Sequence, residues 1–164
     1  MKKFLAIIFL SLCFTLHIKA DDIKEFQIEG ISIGDSLLDY YNKTEINDRL
    51  KTIKSTYTSK KFKRVEFRIK GNSIYDQLKV HYRNDGTYEI VDLGGLILYR
   101  NNTVNECYAK RDQIVKDIAT LFPSAKKKKD RWKSTQFSGS IFDRTLLKLN
   151  SGDISILCRD WSKK

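Results

Sequence analysis

Arg64-Val65-Glu66-Phe67-Arg68-Ile69-Lys70 is the stretch on which the fold turns. Val65, Phe67 and Ile69 alternate with charged neighbours, and a period of two sends the two sets to opposite faces of a β-strand. Gly71-Asn72 follows as a turn signal. Leu78, Val80 and Tyr82 then alternate with Gln77, Lys79, His81 and Arg83, and Asn84-Asp85-Gly86 predicts a hairpin. Residues 87–93 supply the returning strand. Gly94-Gly95 predicts a bulge or bend in it, with Leu96-Ile97-Leu98-Tyr99 as its continuation. Together these stretches read as an antiparallel meander.

On either side of the meander the period becomes helical. Upstream, Ile31 and Ile33 precede Gly34-Asp35-Ser36, and Leu37, Leu38 and Tyr41 recur at helical spacing, with Asp35 or Ser36 placed as N-cap. Thr44 is placed to cap a second helix carrying Ile46, Leu50 and Ile53. Downstream, Thr103-Val104-Asn105-Glu106 has the spacing of a capping box. Cys107, Tyr108, Ile114, Val115, Ile118, Leu121 and Phe122 follow at helical intervals interrupted by Arg111, and Pro123 marks the end of this longest helix. Lys126, Lys127, Lys128 and Lys129 read as a charged connection, and 141–149 and 154–161 as a hairpin about Asn150-Ser151-Gly152-Asp153. The expected fold is therefore α+β: two short N-terminal helices, an antiparallel meander, one long helix and a C-terminal β-hairpin.

The start of the chain is of another kind. Met1-Lys2-Lys3 is a short positive region, residues 4–16 are weakly polar to apolar, and Ala20 precedes Asp21-Asp22. That order is the pattern of a cleavable secretory signal over residues 1–20, leaving one domain over 21–164. An apolar run of 13 residues falls short of the roughly 20 that a spanning helix needs. Cys13 lies inside the apolar run after Leu12, where a lipid-attachment signal would want a small residue, and reads as filler. The expected location is periplasmic or extracellular.

Cleavage near Ala20 removes Lys2, Lys3 and Lys19, so 28 basic residues remain against 20 acidic, a formal +8. That excess favours anionic partners without choosing among them. The two cysteines left, Cys107 and Cys158, read as a disulfide in an exported chain, against two buried free thiols. No cofactor is implied, and a metal site has only His81 to offer as imidazole. No internal repeat at a fixed period is present.

The clearest candidate contact surface is basic. Lys126, Lys127, Lys128, Lys129, Arg131 and Lys133 surround Trp132, with Asp130 alone opposing them. Basic residues interleaved with an aromatic can hold phosphates while the ring stacks or sits at a lipid interface. The bland alternative is a solvated connecting loop. Lys60, Lys61, Lys63 and Arg64 form a second cluster. An anionic membrane surface, a polyanion or an envelope protein are the partners this pattern admits, and export argues against nucleic acid.

Enzymatic readings are thinner. Gly34-Asp35-Ser36-Leu37 has the letters of a serine-nucleophile motif, but the class that uses it needs a C-terminal Asp-x-x-His pair, and the C-terminal half has no histidine. His81 sits on the polar side of its strand with no nucleophile nearby in sequence. A small hydrolase using Ser36 is the alternative to a binding module, and a purely structural envelope protein a third reading. Asn42-Lys43-Thr44 and Asn101-Asn102-Thr103 fit the glycosylation sequon.

The run Ile28-Glu29-Gly30-Ile31-Ser32-Ile33-Gly34-Asp35-Ser36-Leu37-Leu38-Asp39-Tyr40, with the ending Ile156-Leu157-Cys158-Arg159-Asp160-Trp161-Ser162, resembles small exported bacterial proteins with no assigned function. Ile33-Gly34-Asp35-Ser36 before a short helix pair and a meander is also similar in element order to the small lipoprotein of the outer-membrane barrel-assembly machinery. That second resemblance is one of fold, and the chain departs from it in its second half.

Overall fold

A computed structural model describes residues 22–52, 60–69, 71, 73–99, 104–135 and 139–161. The signal segment expected over 1–20, the capping Thr103, Ile53 and the second sequon lie outside them. The described chain begins with a 3-10 turn at Ile23–Glu25, capped by Asp22, and a hairpin follows, β1 (Gln27–Ile28) pairing with β2 (Ile31–Ser32). Its two turn residues, Glu29 and Gly30, both have positive φ, 54° and 76°, as a two-residue turn between right-twisted strands requires. One 3-10 turn follows at Leu37–Asp39, with Ser36 as its N-cap. Helix α1 spans Lys43–Thr52, and Asn42 caps it by accepting from Glu45 N at 2.9 Å.

β3 (Phe62–Arg68), β4 (Gln77–Arg83) and β5 (Ile90–Leu96) then pair antiparallel in chain order. Their inward residues, Val65, Val80 and Ile90, are fully buried with Leu37 and with Ile46 of α1. Helix α2 (Val104–Leu121) begins the second half, and β6 (Lys126–Lys133), β7 (Ile141–Lys148) and β8 (Asp153–Asp160) form another antiparallel sheet in chain order. Ile118 and Phe122 bury against Leu147 and Ile154 in a second core. Each such side chain taken fully out of water contributes about 1.5–3 kcal/mol. The sequence carries no repeat of residues, yet the order helix-then-three-strands occurs twice.

The α+β arrangement expected from the sequence does not hold. Among the described residues there are two α-helices, one of them short, and eight strands in three antiparallel sheets. The first of the expected N-terminal helices is only the 3-10 turn. Ser36 forms a β-bridge with Glu89, and Leu37 N donates to Tyr88 O at 2.9 Å, so the backbone entering the turn is committed to the neighbouring strand. The expected connection at Lys126–Lys129 is part of β6, and the expected C-terminal hairpin is thus a three-stranded sheet. Gly94-Gly95 does not interrupt β5. The register shift falls between His81 and Tyr82, which face Asp92 and Ile90 and leave Val91 as the extra residue.

Cys107 of α2 and Cys158 of β8 are joined by a disulfide, their Cα atoms 5.9 Å apart. The bond ties helix to sheet across 51 residues of chain. Among the described residues no helix is long and apolar enough to cross a membrane.

The two cores meet at the start of the chain. Ile23 is buried in the second core, and its N–H donates to Ser151 Oγ at 2.8 Å. Ile28 and Ile31 belong to the first core, and Phe26 packs against both.

Candidate functional site

Alternation along β6 divides its basic residues between two faces. α2 covers the face carrying Asp143, Leu147, Ile154 and Cys158, as its contacts with those residues show. Cross-strand partners share a face, so Lys127, Lys129, Arg131 and Lys133, opposite Leu147, Thr145, Asp143 and Ile141, lie on the helix side at the sheet's edge. Lys126, Lys128, Asp130 and Trp132 point to the open side, opposite Lys148, Leu146, Arg144 and Phe142. The seven residues singled out from the sequence are brought onto one strand but not onto one surface.

The open side carries a ladder of rings and guanidinium groups. Trp132 stacks on Phe142 with centroids 5.2 Å apart, and Arg144 lies 5.2 Å over the Trp132 ring. Arg159, the cross-strand partner of Phe142, sits 4.8 Å over that ring and 3.3 Å over Trp161. Trp132 and Trp161, at opposite edges of the sheet, remain 41% and 50% exposed. Stacked guanidinium groups keep their charge while shedding little water, so the ladder is both apolar and cationic. Burial pushes the Arg159 guanidinium pKa down. Asp130 accepts from Arg144 Nη2 at 2.6 Å and pairs with Lys128 at 3.1 Å, and these two partners, Arg144 first, hold its carboxyl below the usual range.

β6 is exposed along nearly its whole length because it is an edge strand, and lysine on an edge discourages pairing with another chain. Phe142, Arg144, Arg159 and Trp161 were not singled out in the sequence reading. Both faces of β7 are partly polar, so its alternation of Phe142 and Arg144 with Asp143 and Thr145 gives no signal of which face is outward. The second basic cluster, Lys60 to Arg64, lies at and before β3, on the other sheet.

Arg111, read from the sequence as a break in an apolar stripe, is buried. Its guanidinium forms an ion pair through Nη1 with Asp143 and another with Asp112 at 2.9 Å, and lies 5.2 Å over the Tyr108 ring.

Ser36 is occupied as a cap. Its hydroxyl donates to Thr87 O at 3.1 Å and accepts from Leu38 N at 3.4 Å. His81 Nδ1 instead meets Asp92 Oδ2 at 2.5 Å, across β4 and β5. The neighbouring Asp35 accepts from Ser32 N and from the Tyr40 hydroxyl, and the latter bond is the main cause of a Tyr40 pKa pushed up to about 12. Ser36, Asp35 and Tyr40 hold a loop together, and the two bonds of the Ser36 hydroxyl are to backbone groups. Among the described residues no group of three or more His, Cys, Asp or Glu side chains could hold a metal ion.

No family model, curated protein or solved structure matches this chain.

Proposed function

We propose that this protein is an exported, non-enzymatic binding module of the cell envelope that docks on an anionic membrane surface through the open side of the β6–β8 sheet. Support for export comes from the signal-like residues 1–20 and from the disulfide, a bond of oxidising compartments. The observation that carries the docking surface is the ladder Trp132–Phe142–Arg159–Trp161, flanked by Lys126, Lys128 and Arg144. Amphipathic rings sit at the headgroup level, and each lysine near an anionic leaflet adds about 1 kcal/mol. A ring-and-cation face suits a planar anionic interface better than a soluble chain.

Sedimentation with phosphatidylglycerol/phosphatidylcholine vesicles tests this. Binding is expected to weaken with salt. K126Q/K128Q should lower affinity roughly 30-fold, about 1 kcal/mol for each lysine, whereas K127Q/K129Q on the helix side should cost less. Emission from Trp132 and Trp161, the two tryptophans of the chain, should shift to the blue on binding, and W132A/W161A should weaken sedimentation with the vesicles. Equal binding to neutral vesicles overturns the proposal, as does capture of soluble heparin or polyphosphate with no vesicle binding.

A further inference from the structure

A cleft of about 370 Å³ opens between the two halves of the molecule. It is walled by strand edges: residues 92–97 on the β5 side and 153–158 on the β8 side, with α2 closing it through Lys110, Arg111 and Ile114. β5 and β8 each end their sheet, and the two do not pair. None of the sequence motifs pointed here, because the lining is gathered from five separated segments.

The charges in this cleft can be accounted for one by one. Arg111 is taken by Asp143 and Asp112, and Asp92 meets His81. Lys79 and Lys110 form no ion pair among the described residues; Glu66, the neighbour of Lys79 across β3 and β4, pairs with Arg64, and the one other carboxylate in the lining is Asp153, whose cross-strand neighbour is Lys148. Two ammonium groups outside any ion pair among the described residues therefore border walls made of Phe26, Ile33, Ile114 and Ile156. Gly94 is the cross-strand partner of Lys79, and a Cβ added there meets nothing within 4 Å. The space beside that lysine is left open by the sequence.

We propose that the cleft binds a small amphipathic anion, a medium-chain carboxylate, with its tail on the isoleucine-lined wall and its head group held by Lys79 and Lys110. Ligand pockets are concave and mostly apolar with a few charges that fix orientation, and their volumes run from about 300 to 1,000 Å³. This cleft has that composition at the small end of that range, which suits one chain rather than a whole lipid. An anion shared by two ammonium groups forms the charge-assisted hydrogen bonds they lack. The site shares no residue with the Trp132–Phe142–Arg159–Trp161 ladder.

Calorimetric titration of the full mature chain with sodium dodecanoate, below its micelle concentration, tests the inference against dodecyltrimethylammonium as the opposite charge. One equivalent of dodecanoate should saturate the protein, and the cationic probe should not bind. K79Q/K110Q should raise the dissociation constant by about tenfold or more, the scale of one lost charge-assisted bond. Gly94→Leu should fill the space and abolish binding, and W132A/W161A should leave it unchanged. Equal affinity for both probes, dodecanoate binding undiminished in Gly94→Leu, or binding lost with the tryptophans would each overturn it.

Discussion

Cys158 of β8 and Asp143 of β7 are direct cross-strand neighbours, and two residues one turn apart on α2 reach them: Cys107 by a disulfide and Arg111 by an ion pair. Helix and sheet are thus fastened twice at one place, once covalently and once by charge. This arrangement makes separable predictions for the two fastenings.

Removing the covalent one, by C107S/C158S or by reduction, should lower unfolding free energy by about 2–5 kcal/mol, since the closed loop no longer restrains the unfolded chain. Denaturant titration with and without reductant measures it. A midpoint that does not move would mean that the charge pair and the core hold α2 alone.

The ion pair should respond asymmetrically. Arg111 is 8% exposed and Asp143 is 23% exposed in their side chains. Asp143→Ala leaves a buried guanidinium with only Asp112 and should cost about 3–5 kcal/mol, whereas Arg111→Met leaves a carboxylate that can still find water and should cost less. R111M/D143A should recover part of the loss, as exchange of a buried pair for apolar groups often does. Thermal unfolding of the three variants decides the order, and equal losses from both single variants would contradict it.

Two adjacent glycines should behave differently. A Cβ at Gly95 overlaps the Tyr75 ring, whereas one at Gly94 meets open space. Gly95→Ala should therefore destabilise by about 1–3 kcal/mol, the usual cost of overpacking, while Gly94→Ala should stay within about 0.5 kcal/mol of the parent. Truncating the ring in G95A/Y75A should restore part of the Gly95→Ala loss by removing the overlap. Melting temperatures of these variants provide the check.

The same pair shows what the sequence could and could not convey. A glycine doublet inside a strand pattern reads as a break, yet Gly95 is there for the Tyr75 ring, which no local pattern reveals. Val65, Phe67, Leu78, Val80 and Tyr82 were legible as strand residues because one face of their sheet is a core. β6 was not, because an edge strand with eight polar or exposed positions has no apolar alternation to read. The cap was legible as Asp35 or Ser36 and is Ser36, but the helix expected after it was not realised, because the Ser36–Glu89 bridge is a distant contact. Of the candidate site, Lys126, Lys128 and Trp132 were legible, while Phe142 and Arg144 of β7, Arg159 of β8 and Trp161 were not.

Asp130 gives the pH dependence. Arg144, then Lys128, holds its carboxyl below the usual range. A depressed folded-state value adds stability above the unfolded carboxylate pKa, about 3.9, and that stability is lost as the pH falls through the lower folded value. Asp130→Asn should therefore be less stable than the parent at neutral pH, and the difference should vanish in strong acid. Melting temperatures of both proteins across that range test the sign. The same variant removes a negative charge from the open side of the sheet and should bind anionic vesicles more tightly at neutral pH.

Ile23 and Ser151 meet across 128 residues of chain, a separation that predicts an order of folding, to be read from folding and unfolding rates in denaturant. Each half can condense from neighbouring strands and its own helix, contacts that form fast because they are near in sequence. The join between halves carries the entropic penalty of a very long loop and rewards folding only after both cores exist. Substitutions within either half should therefore slow folding, whereas Ile23→Ala should chiefly speed unfolding. Ile23, near the head of the described chain, should then be among the last residues to find its place.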